Sequence, residues 1–213
     1  MIKIYAAKTD DTTRAELLMH IGLDVGDTKR AAWARMPEEK AVGSLMGILL
    51  LQYALKQNGI PADGLTMEYG LYGRPRLPIP QMDFSVSHTD GFVACAVEFE
   101  DGMETPRLAI DTERLSGRTR KSMERISTGW FTKKEKELFL QSPTEDVFLK
   151  IWTGKEALAK WSGNGLSMLG RCDSTQPPND LTLTAYTLQD VMLTLCHRAT
   201  ATPPPELLFP FSK

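Results

Sequence analysis

Two acidic residues, Asp111 and Glu113, stand one position apart in an otherwise apolar segment. On a β-strand alternate side chains share a face, so the two acids are predicted to project together while Leu108, Ile110 and Thr112 point inward. Adjacent carboxylates repel unless a positive charge lies between them, and hard oxygen ligands of this kind suit Mg²⁺. A solvated edge strand with two surface acids shows the same pattern, so the pair alone leaves both interpretations open.

A second group of candidate residues lies on a helix predicted from Ser142 to about Ser162. A serine cap, a proline at the first helical position and a glutamate three residues after the cap predict its start, and Gly163 its end. Lys155 falls inside the apolar arc of this helix, and Glu156 and Lys160 lie at the border of the arc. The arc itself consists of Val147, Phe148, Ile151, Trp152, Leu158, Ala159 and Trp161.

The three polar residues of this helix have different explanations. A lysine inside an apolar arc must extend its ammonium group to water or meet an anion, and phosphate is a natural candidate. Glu156 and Lys160 also have the spacing of a routine helix-stabilising ion pair with the acid first. That interpretation accounts for the pair, but it explains neither Lys155 nor the adjacent Gly154.

Further candidate phosphate ligands occur earlier in the chain. Ser87 and His88 end a predicted strand just before a tight turn, where a hydroxyl and an imidazole could both meet a phosphate. Arg74, followed by Pro75 in a loop, offers a planar fork of donors suited to phosphate. Taken singly, a structural histidine and a surface loop cation are the simpler interpretations.

The composition indicates a globular protein and excludes several classes. The chain has 213 residues with 42% hydrophobic and 24% charged residues, a net charge of -2 and a pI near 6.0. We therefore expect neither a nucleic-acid binder nor a membrane-surface binder. No apolar run approaches the roughly 20 residues that span a bilayer. Cys95, Cys172 and Cys196 form no zinc or disulfide pattern, so we expect packing roles and a cytoplasmic location.

The predicted elements fall into two halves, 1–104 and 105–213. The segment 101–106 interrupts the regular structure and is the predicted boundary between them. A buried helix is predicted from about Glu38 to Asn58, and a hairpin covers residues 84–99. The second half begins with the acidic strand and a basic helix from about Arg118 to Ile126. It continues with a helix opened by a Thr132–Glu135 capping box, the Lys155 helix, closing strands at 181–188 and 191–197, and an extended, poorly tied tail from Pro203.

Together these segments resemble the Sfp-type 4′-phosphopantetheinyl transferases. The resembling blocks are Tyr-Gly-Arg-Pro at 72–75, Phe-Ser-Val-Ser-His at 84–88, Ala-Ile-Asp-Thr-Glu at 109–113, Phe-Thr-Lys-Lys-Glu at 131–135 and Trp-Thr-Gly-Lys-Glu-Ala-Leu-Ala-Lys at 152–160. Their order and spacing agree from about residue 36 to 170. The acidic strand and the lysine–glutamate helix are highly specific as a pair, whereas the loop and histidine blocks are weak singly.

The resemblance implies an α+β fold built as a pseudodimer of two similar halves, each an antiparallel sheet packed against a long helix, with coenzyme A in the cleft between them. It implies a monomeric, Mg²⁺-dependent enzyme with holo-[acyl-carrier-protein] synthase activity. Such an enzyme transfers 4′-phosphopantetheine from coenzyme A to a serine of an apo acyl, peptidyl or aryl carrier protein and releases 3′,5′-ADP. Which carrier and pathway are served is left open.

The resemblance also implies roles for the candidate residues. Asp111, Glu113 and Glu156 would ligate Mg²⁺ together with the coenzyme A pyrophosphate. Glu156 would also receive the serine proton, directly or through a metal-held water. Lys160 would reach the leaving phosphate, and Lys155 would support the phosphate site. Ser87 and His88 would contact the pyrophosphate or the 3′-phosphate. Arg74 and Pro75 would lie near the nucleotide.

One departure from the family pattern leaves alternatives open. An arginine that family members carry in an Ala-x-Arg-x-Leu run is replaced by Gly43, so recognition of the adenosine 3′-phosphate is unassigned. A non-catalytic protein that binds coenzyme A or a carrier, and a phosphotransferase for another pyrophosphate compound, are the alternatives. A basic segment near the acidic strand could dock an acidic carrier or be merely solvated; it comprises Arg114, Arg118, Arg120, Lys121 and Arg125.

Overall fold

The computed structural model describes residues 2–10, 12–100, 108–198 and 206–208. The chain divides into two compact units, one formed by Met1–Thr105 with Thr202–Lys213 and the other by Pro106–Ala201. Helices accompany largely antiparallel sheets in both units, so the predicted α+β class is confirmed. The similarity of the two halves and their packing as a pseudodimer stay predictions, as do the roles assigned to residues 1–104 and 105–213.

The first unit is built on a four-stranded sheet. Its elements are β1 (Ile2–Lys8), α1 (Arg14–Leu18), α2 (Asp27–Arg35), α3 (Glu38–Gln57), β2 (Glu68–Tyr69), β3 (Pro75–Arg76), β4 (Met82–Thr89), β5 (Phe92–Phe99) and β9 (Glu206–Leu208). The strand order is β4-β5-β1-β9. Strand β5 pairs antiparallel with both β4 and β1, whereas β9 runs parallel to β1.

Helix α3 is the core helix of the first unit. Its apolar residues, including Leu45, Leu50 and Leu51, are fully buried, as expected for a helix that is apolar on most faces. Gly47 lets it approach the sheet closely, because a Cβ at that position would collide with Val86 on β4. The predicted span of 38–58 agrees with the observed Glu38–Gln57.

The second unit combines a three-stranded antiparallel sheet with a long helix. Its elements are β6 (Leu108–Arg114), α4 (Arg120–Trp130), α5 (Lys133–Gln141), α6 (Glu145–Ser162), a 3₁₀ turn (Gly165–Met168), β7 (Leu181–Leu188) and β8 (Val191–Arg198). The strand order is β6-β8-β7, with both pairings antiparallel. Helix α6 packs on β6 and β8, and this packing positions the residues of chemical interest.

Helix α6 begins two residues later than predicted, so the prediction of Ser142 as its cap is wrong. Thr144 is the N-cap, and its hydroxyl accepts from the backbone N–H of Val147 at 3.3 Å. Ser142 instead ends α5 as its C-cap. The predicted end is confirmed, because Gly163 takes the left-handed conformation at φ 71° that favours glycine.

Two further differences from the predicted elements concern the ends of the chain. The polar stretch after β1 contains the short helices α1 and α2, which were not predicted, although a Thr13–Glu16 capping box marks the start of α1. The tail was predicted to be poorly tied, but its described part, Glu206–Leu208, pairs with Lys3, Ile4 and Tyr5 of β1. Residues 203–205 lie outside the described residues. Within the described part of the chain, the helices are too short or too polar to cross a bilayer.

Candidate active site

Strand β6 presents Asp111 and Glu113 on the sheet face that α6 covers. Residues two apart on a strand share a face. Asp111 lies opposite Thr194 of β8, whose hydroxyl oxygen is 2.6 Å from that of Thr153 on α6. Thr112, between the two acids, alternates to the other face and is also buried. The common orientation predicted for the two acids is therefore built into the strand, and it directs both of them toward α6.

Asp111 is bound by a lysine from α6. Its side chain is 2% exposed, and its Oδ1 accepts a hydrogen bond from Nζ of Lys160 at 2.7 Å. The same Nζ donates to the carbonyl oxygen of Ile110 at 3.0 Å. A buried carboxylate loses its hydration, which this charged hydrogen bond offsets in part. About a third of the Lys160 side chain remains exposed, so the ammonium group lies at the edge of the site.

Glu156, one turn before Lys160 on α6, is hydrogen-bonded to Asp111. Burial and then the negative charge of Asp111 raise the pKa of Glu156 to about 8, and the charge of Glu113 adds to this while Lys160 opposes it. A carboxyl group with such a pKa keeps its proton near neutral pH, and its O–H can donate a hydrogen bond to the neighbouring carboxylate. The site therefore holds more acidic groups than its lysine alone can neutralise.

Glu113 has a different set of partners. Burial and then the charge of Asp111 raise its pKa, whereas hydrogen bonds from Arg118 and Trp152 act in the opposite direction. The Arg118 contact is short, with Nη2 lying 2.6 Å from Oε2 of Glu113. Glu113 is thus held by an arginine from the loop after β6 and by a tryptophan from α6.

The donor set suits a hard divalent cation. Three carboxyl groups from β6 and α6 interact, and their crowding raises the pKa of two of them, which a bound cation would relieve. In the described part of the chain, no three or more His, Cys, Asp or Glu side chains are arranged to hold a metal ion. The positive partners of the acids in this structure are side chains: Lys160 pairs with Asp111, and Arg118 pairs with Glu113. Metal ligation by the three acids stays a prediction that rests on their chemistry.

Lys155 has a protein carboxylate as its partner. Its fully buried Nζ donates to Oε2 of Glu135 at 2.8 Å and to the carbonyl oxygen of Cys172 at 2.6 Å. Glu135, also fully buried, accepts from the backbone N–H and the hydroxyl of Ser174 at 2.7 and 2.8 Å. The anion required by a lysine in an apolar arc is thus supplied from within the protein. The support of the phosphate site predicted for Lys155 stays a prediction.

Gly154 and the predicted capping box belong to the same structural cluster. A Cβ on Gly154 would lie 3.0 Å from the Cβ of Ser174, so the glycine lets α6 approach the loop that carries Ser174. Thr132 caps α5, and Oε2 of Glu135 accepts from the Thr132 backbone N–H at 2.8 Å. The capping box is confirmed, and its glutamate also neutralises Lys155.

The residues predicted to bind the nucleotide end of coenzyme A lie in the first unit. Arg74 directs Nη2 to both carboxylate oxygens of Asp83, at 2.9 and 2.8 Å, and both side chains are largely buried. Pro75 lies in β3. Ser87 is buried on β4, whereas His88 is exposed. Because neighbouring strand residues point to opposite faces, Ser87 and His88 are not brought together on one side of the sheet.

Gly43, which stands where the resembling family carries an arginine, lies against His88. The imidazole lies against Gly43 on α3, and a Cβ at position 43 would be 3.0 Å from both Cγ and Nδ1 of the ring. Any side chain at position 43 would therefore require the His88 ring to shift by a few tenths of an ångström. Gly43 and His88 are far apart in the sequence but are neighbours in the fold.

Several functional partners were not evident from the sequence. Arg118 holds Glu113 across 5 positions, Asp83 holds Arg74 across 9, and Glu135 holds Lys155 across 20. None of these separations corresponds to a helix or strand repeat within one element, so periodicity does not reveal them. Only Glu135 belongs to a recognisable sequence motif, the capping box that begins at Thr132. That motif predicts the start of a helix and does not predict the ion pair with Lys155.

The fold and the site define an α+β protein in which an Asp-x-Glu strand meets a Lys-Glu helix. Residues 107–198 match the family model of the 4′-phosphopantetheinyl transferase superfamily. The region of the match contains all three acids, Lys160 and Arg118. The predicted resemblance to these transferases is thereby confirmed.

Individual relatives support the same resemblance at modest identity. A 4′-phosphopantetheinyl transferase of Bacillus subtilis is 29% identical over 136 residues, which is 62% of this chain and 56% of that protein. HetI, a 4′-phosphopantetheinyl transferase of Nostoc sp. strain PCC 7120, is 27% identical over 145 residues, 63% of this chain and 58% of its own length. Sfp of Bacillus subtilis strain 168 is 27% identical over 136 residues. The chain thus spans somewhat more than half the length of the curated relatives it matches.

Proposed function

We propose that this protein is an enzyme that transfers 4′-phosphopantetheine from coenzyme A to a serine of an apo carrier protein and releases 3′,5′-ADP. One observation carries the proposal. Asp111, Glu113, Glu156 and Lys160 come together on β6 and α6, within the region that matches the transferase superfamily. We further propose that the protein acts as a monomer in the cytoplasm.

The proposed metal ligands are Asp111, Glu113 and Glu156, with Mg²⁺ as the cation. Oxygen donors and an excess of negative charge favour Mg²⁺, which commonly combines carboxylates with substrate phosphates and water. When bound, the cation would neutralise and orient the pyrophosphate of coenzyme A. Burial and the neighbouring acids raise the pKa of Glu156 and Glu113, and a cation bound by the cluster would displace the proton and take its place as the positive partner.

The residues of the chain supply the remaining chemistry. The serine oxygen forms a new bond to the β-phosphorus while the bond between that phosphorus and the bridging oxygen breaks, and 3′,5′-ADP departs with the bridging oxygen. Positioning and charge neutralisation, rather than covalent help from the protein, dominate such transfers. Lys160 lies at the exposed edge of the acid cluster, where its charge can stabilise the leaving phosphate.

Glu156 is the proposed acceptor of the serine proton. Without a cation, burial and the charge of Asp111 raise the pKa of Glu156 to about 8, so the carboxyl group keeps its proton. A cation held by the three acids would lower that pKa and free the carboxylate to accept the serine proton. Hydrogen bonding to Asp111 restrains its side chain. The same residue is thus proposed both as a ligand and as a base, directly or through a metal-held water.

The proposed protein partner is a carrier whose surface is acidic around the modified serine. Arg120, Lys121 and Arg125 on α4 are exposed and lie close in sequence to the acidic strand. Arg118 differs from them, because it is ion-paired with Glu113 and largely shielded from water. We therefore assign docking to the exposed α4 residues and exclude Arg118 from that role.

The test is transfer to a panel of purified apo carriers. Full-length protein is incubated with Mg²⁺, coenzyme A and carriers from fatty acid, polyketide and peptide synthesis, and the mass increase of each carrier is measured. Glu156→Gln is the matched variant, since it keeps the shape of the side chain and removes the ionisable group. We expect the rate of transfer to fall at least 1,000-fold, which corresponds to about 4 kcal/mol in the activation free energy. Absence of transfer to every carrier by folded wild-type protein would refute the proposal.

A second candidate function, binding of coenzyme A or a carrier without catalysis, is favoured by two features of the first unit. Gly43 replaces a family arginine and is packed against His88, and Arg74 is engaged by Asp83. Calorimetry with coenzyme A in the presence of Mg²⁺ or EDTA separates the two functions. Tight binding that is independent of metal and accompanied by no transfer supports the second.

A further inference from the structure

The loop between β6 and α4 carries an arginine that joins two carboxylates. Nη2 of Arg118 donates to Oε2 of Glu113 at 2.6 Å, and Nη1 donates to Oε1 of Glu145 at 3.0 Å. Nη1 also donates to the carbonyl oxygen of Arg114 at 2.7 Å. A guanidinium group can serve several acceptors at once because its donors lie in a rigid plane. Arg118 therefore links the acidic strand to the first turn of α6.

The backbone of the same loop is held by Glu145. Its carboxylate accepts from the backbone N–H groups of Ser116, Gly117 and Arg118, at 3.1, 2.9 and 3.2 Å. Gly117 adopts a φ of 70°, which a glycine tolerates best. The loop is thus attached to α6 through both its backbone and its arginine. Arg118 reaches Glu113 from a fixed base, and this contact is part of the fold.

We propose that Arg118 is a positioning residue for the acid cluster: it fixes the orientation of Glu113 and thereby sets the affinity of the cluster for a divalent cation. This inference rests on the proposed function only in treating Glu113 as a cation ligand. A carboxylate that swings freely must be ordered when it binds a cation, and that ordering has an entropic cost. Hydrogen bonds to ligating side chains reduce this cost, and their loss commonly lowers metal affinity 10- to 100-fold.

The environment of Arg118 distinguishes this role from docking. Its side chain is 24% exposed, against 65% for Arg120 two residues later. Three acceptors from β6 and α6 engage its guanidinium, whereas Arg120 pairs with Glu124 one turn along the same helix. An arginine committed to two carboxylates of its own chain contributes little to an incoming acidic partner.

The experiment measures cation affinity directly, without turnover. Mn²⁺ is titrated into purified full-length protein and free Mn²⁺ is followed by electron paramagnetic resonance, with Mg²⁺ affinity obtained by competition. We expect Arg118→Gln to weaken Mn²⁺ binding at least 10-fold. Arg118→Lys keeps the charge but cannot serve both carboxylates, so its affinity should lie between those of Arg118→Gln and wild type.

Two controls separate positioning from general damage to the fold. Arg114→Gln removes an ion pair of the same strand, between Arg114 and Asp190 at 2.6 Å, and should change Mn²⁺ affinity less than twofold. Glu145→Ala releases the loop from α6 but leaves the Arg118–Glu113 contact available, so it should lower the melting temperature and weaken Mn²⁺ binding less than Arg118→Gln does. Melting curves recorded in EDTA confirm that each variant is folded.

The outcomes are distinct from those of the transfer assay. Unchanged or tighter Mn²⁺ binding by folded Arg118→Gln overturns the inference even if the wild-type protein transfers phosphopantetheine. Equal weakening by Arg118→Gln and Glu145→Ala also overturns it, since both would then act through loop stability. Selective weakening by Arg118→Gln supports it even if no carrier is modified, a result that would count against the proposed function alone.

Discussion

Helix α6 carries two lysines, five residues apart, that meet carboxylates in opposite ways. Lys155 is fully buried and faces one fully buried acid, Glu135, whose oxygens also accept hydrogen bonds from neighbouring elements. Lys160 is about one-third exposed and faces a cluster of three acids in which Glu156 has a pKa of about 8. The first arrangement is balanced in charge, and the second is not.

The same residue types thus serve structure at Lys155 and are suited to chemistry at Lys160. A buried pair with every oxygen hydrogen-bonded is stable by itself, and it specifies how α5, α6 and the loop at Ser174 pack. A cluster with surplus acids is unfavourable by itself, and perturbed pKa values of this kind are typical of functional sites. The comparison can be tested by asking whether each lysine controls stability or activity.

The largest expected effect is on stability, from Lys155→Met. Removing one partner of a buried ion pair leaves the Glu135 carboxylate unneutralised, so we expect the free energy of unfolding to fall by about 3–5 kcal/mol. Urea denaturation at pH 7 measures this. The double variant Lys155→Met, Glu135→Gln should recover part of the loss. A loss below about 1 kcal/mol in the single variant would contradict the structural role.

Lys160→Met should produce the reverse pattern. We expect kcat for carrier modification to fall about 100-fold, because charge on the leaving phosphate is no longer neutralised, which corresponds to about 2.7 kcal/mol. The free energy of unfolding should fall by less than in Lys155→Met, because Lys160 is about one-third exposed, although the buried Asp111 carboxylate loses its charged partner. Lys150→Met, on the exposed side of α6, is the control. Full activity of Lys160→Met would remove the distinction between the two lysines.

The pH dependence of stability should reveal the raised pKa of Glu156 in the acid cluster. Burial and Asp111 raise the pKa of Glu156 from near 4.5 to about 8, so the folded protein binds this proton more tightly than the unfolded chain does. Stability in EDTA should therefore fall as pH rises from about 6 to 8, by about 2 kcal/mol. Glu156→Gln should flatten this decline. A wild-type profile as flat as that of the variant would show that Glu156 titrates normally.

The smallest expected effect concerns docking. Reversing charge with Arg120→Glu and Lys121→Glu leaves Arg118 and the acid cluster intact, so kcat should be retained while the KM for an acidic carrier rises about fivefold. Initial rates over a range of carrier concentrations, at two ionic strengths, measure the change. Lys133→Glu on α5, an even more exposed cation, is the control. An unchanged KM in the double variant would place the carrier on another surface.

Much of the fold was predictable because its signals are local. The apolar segment of α3, the capping box of α5 and the alternation along β6 depend on neighbours in sequence, and the structure confirms each of them. The start of α6 was misplaced by two residues because Ser142 and Thr144 are both good caps. Only the ending of α5 at Ser142 decides between them.

The acids and lysines that are candidates for chemistry were identifiable in the amino-acid sequence, because residue type, strand alternation and helix spacing are local properties. Tertiary structure alone decided the charge partner of each group. It assigned Lys155 to Glu135, Arg74 to Asp83 and Arg118 to Glu113, through contacts between elements that no repeat in the chain encodes. A charged side chain acquires its role from the charges and burial around it, and these exist only once the chain has folded.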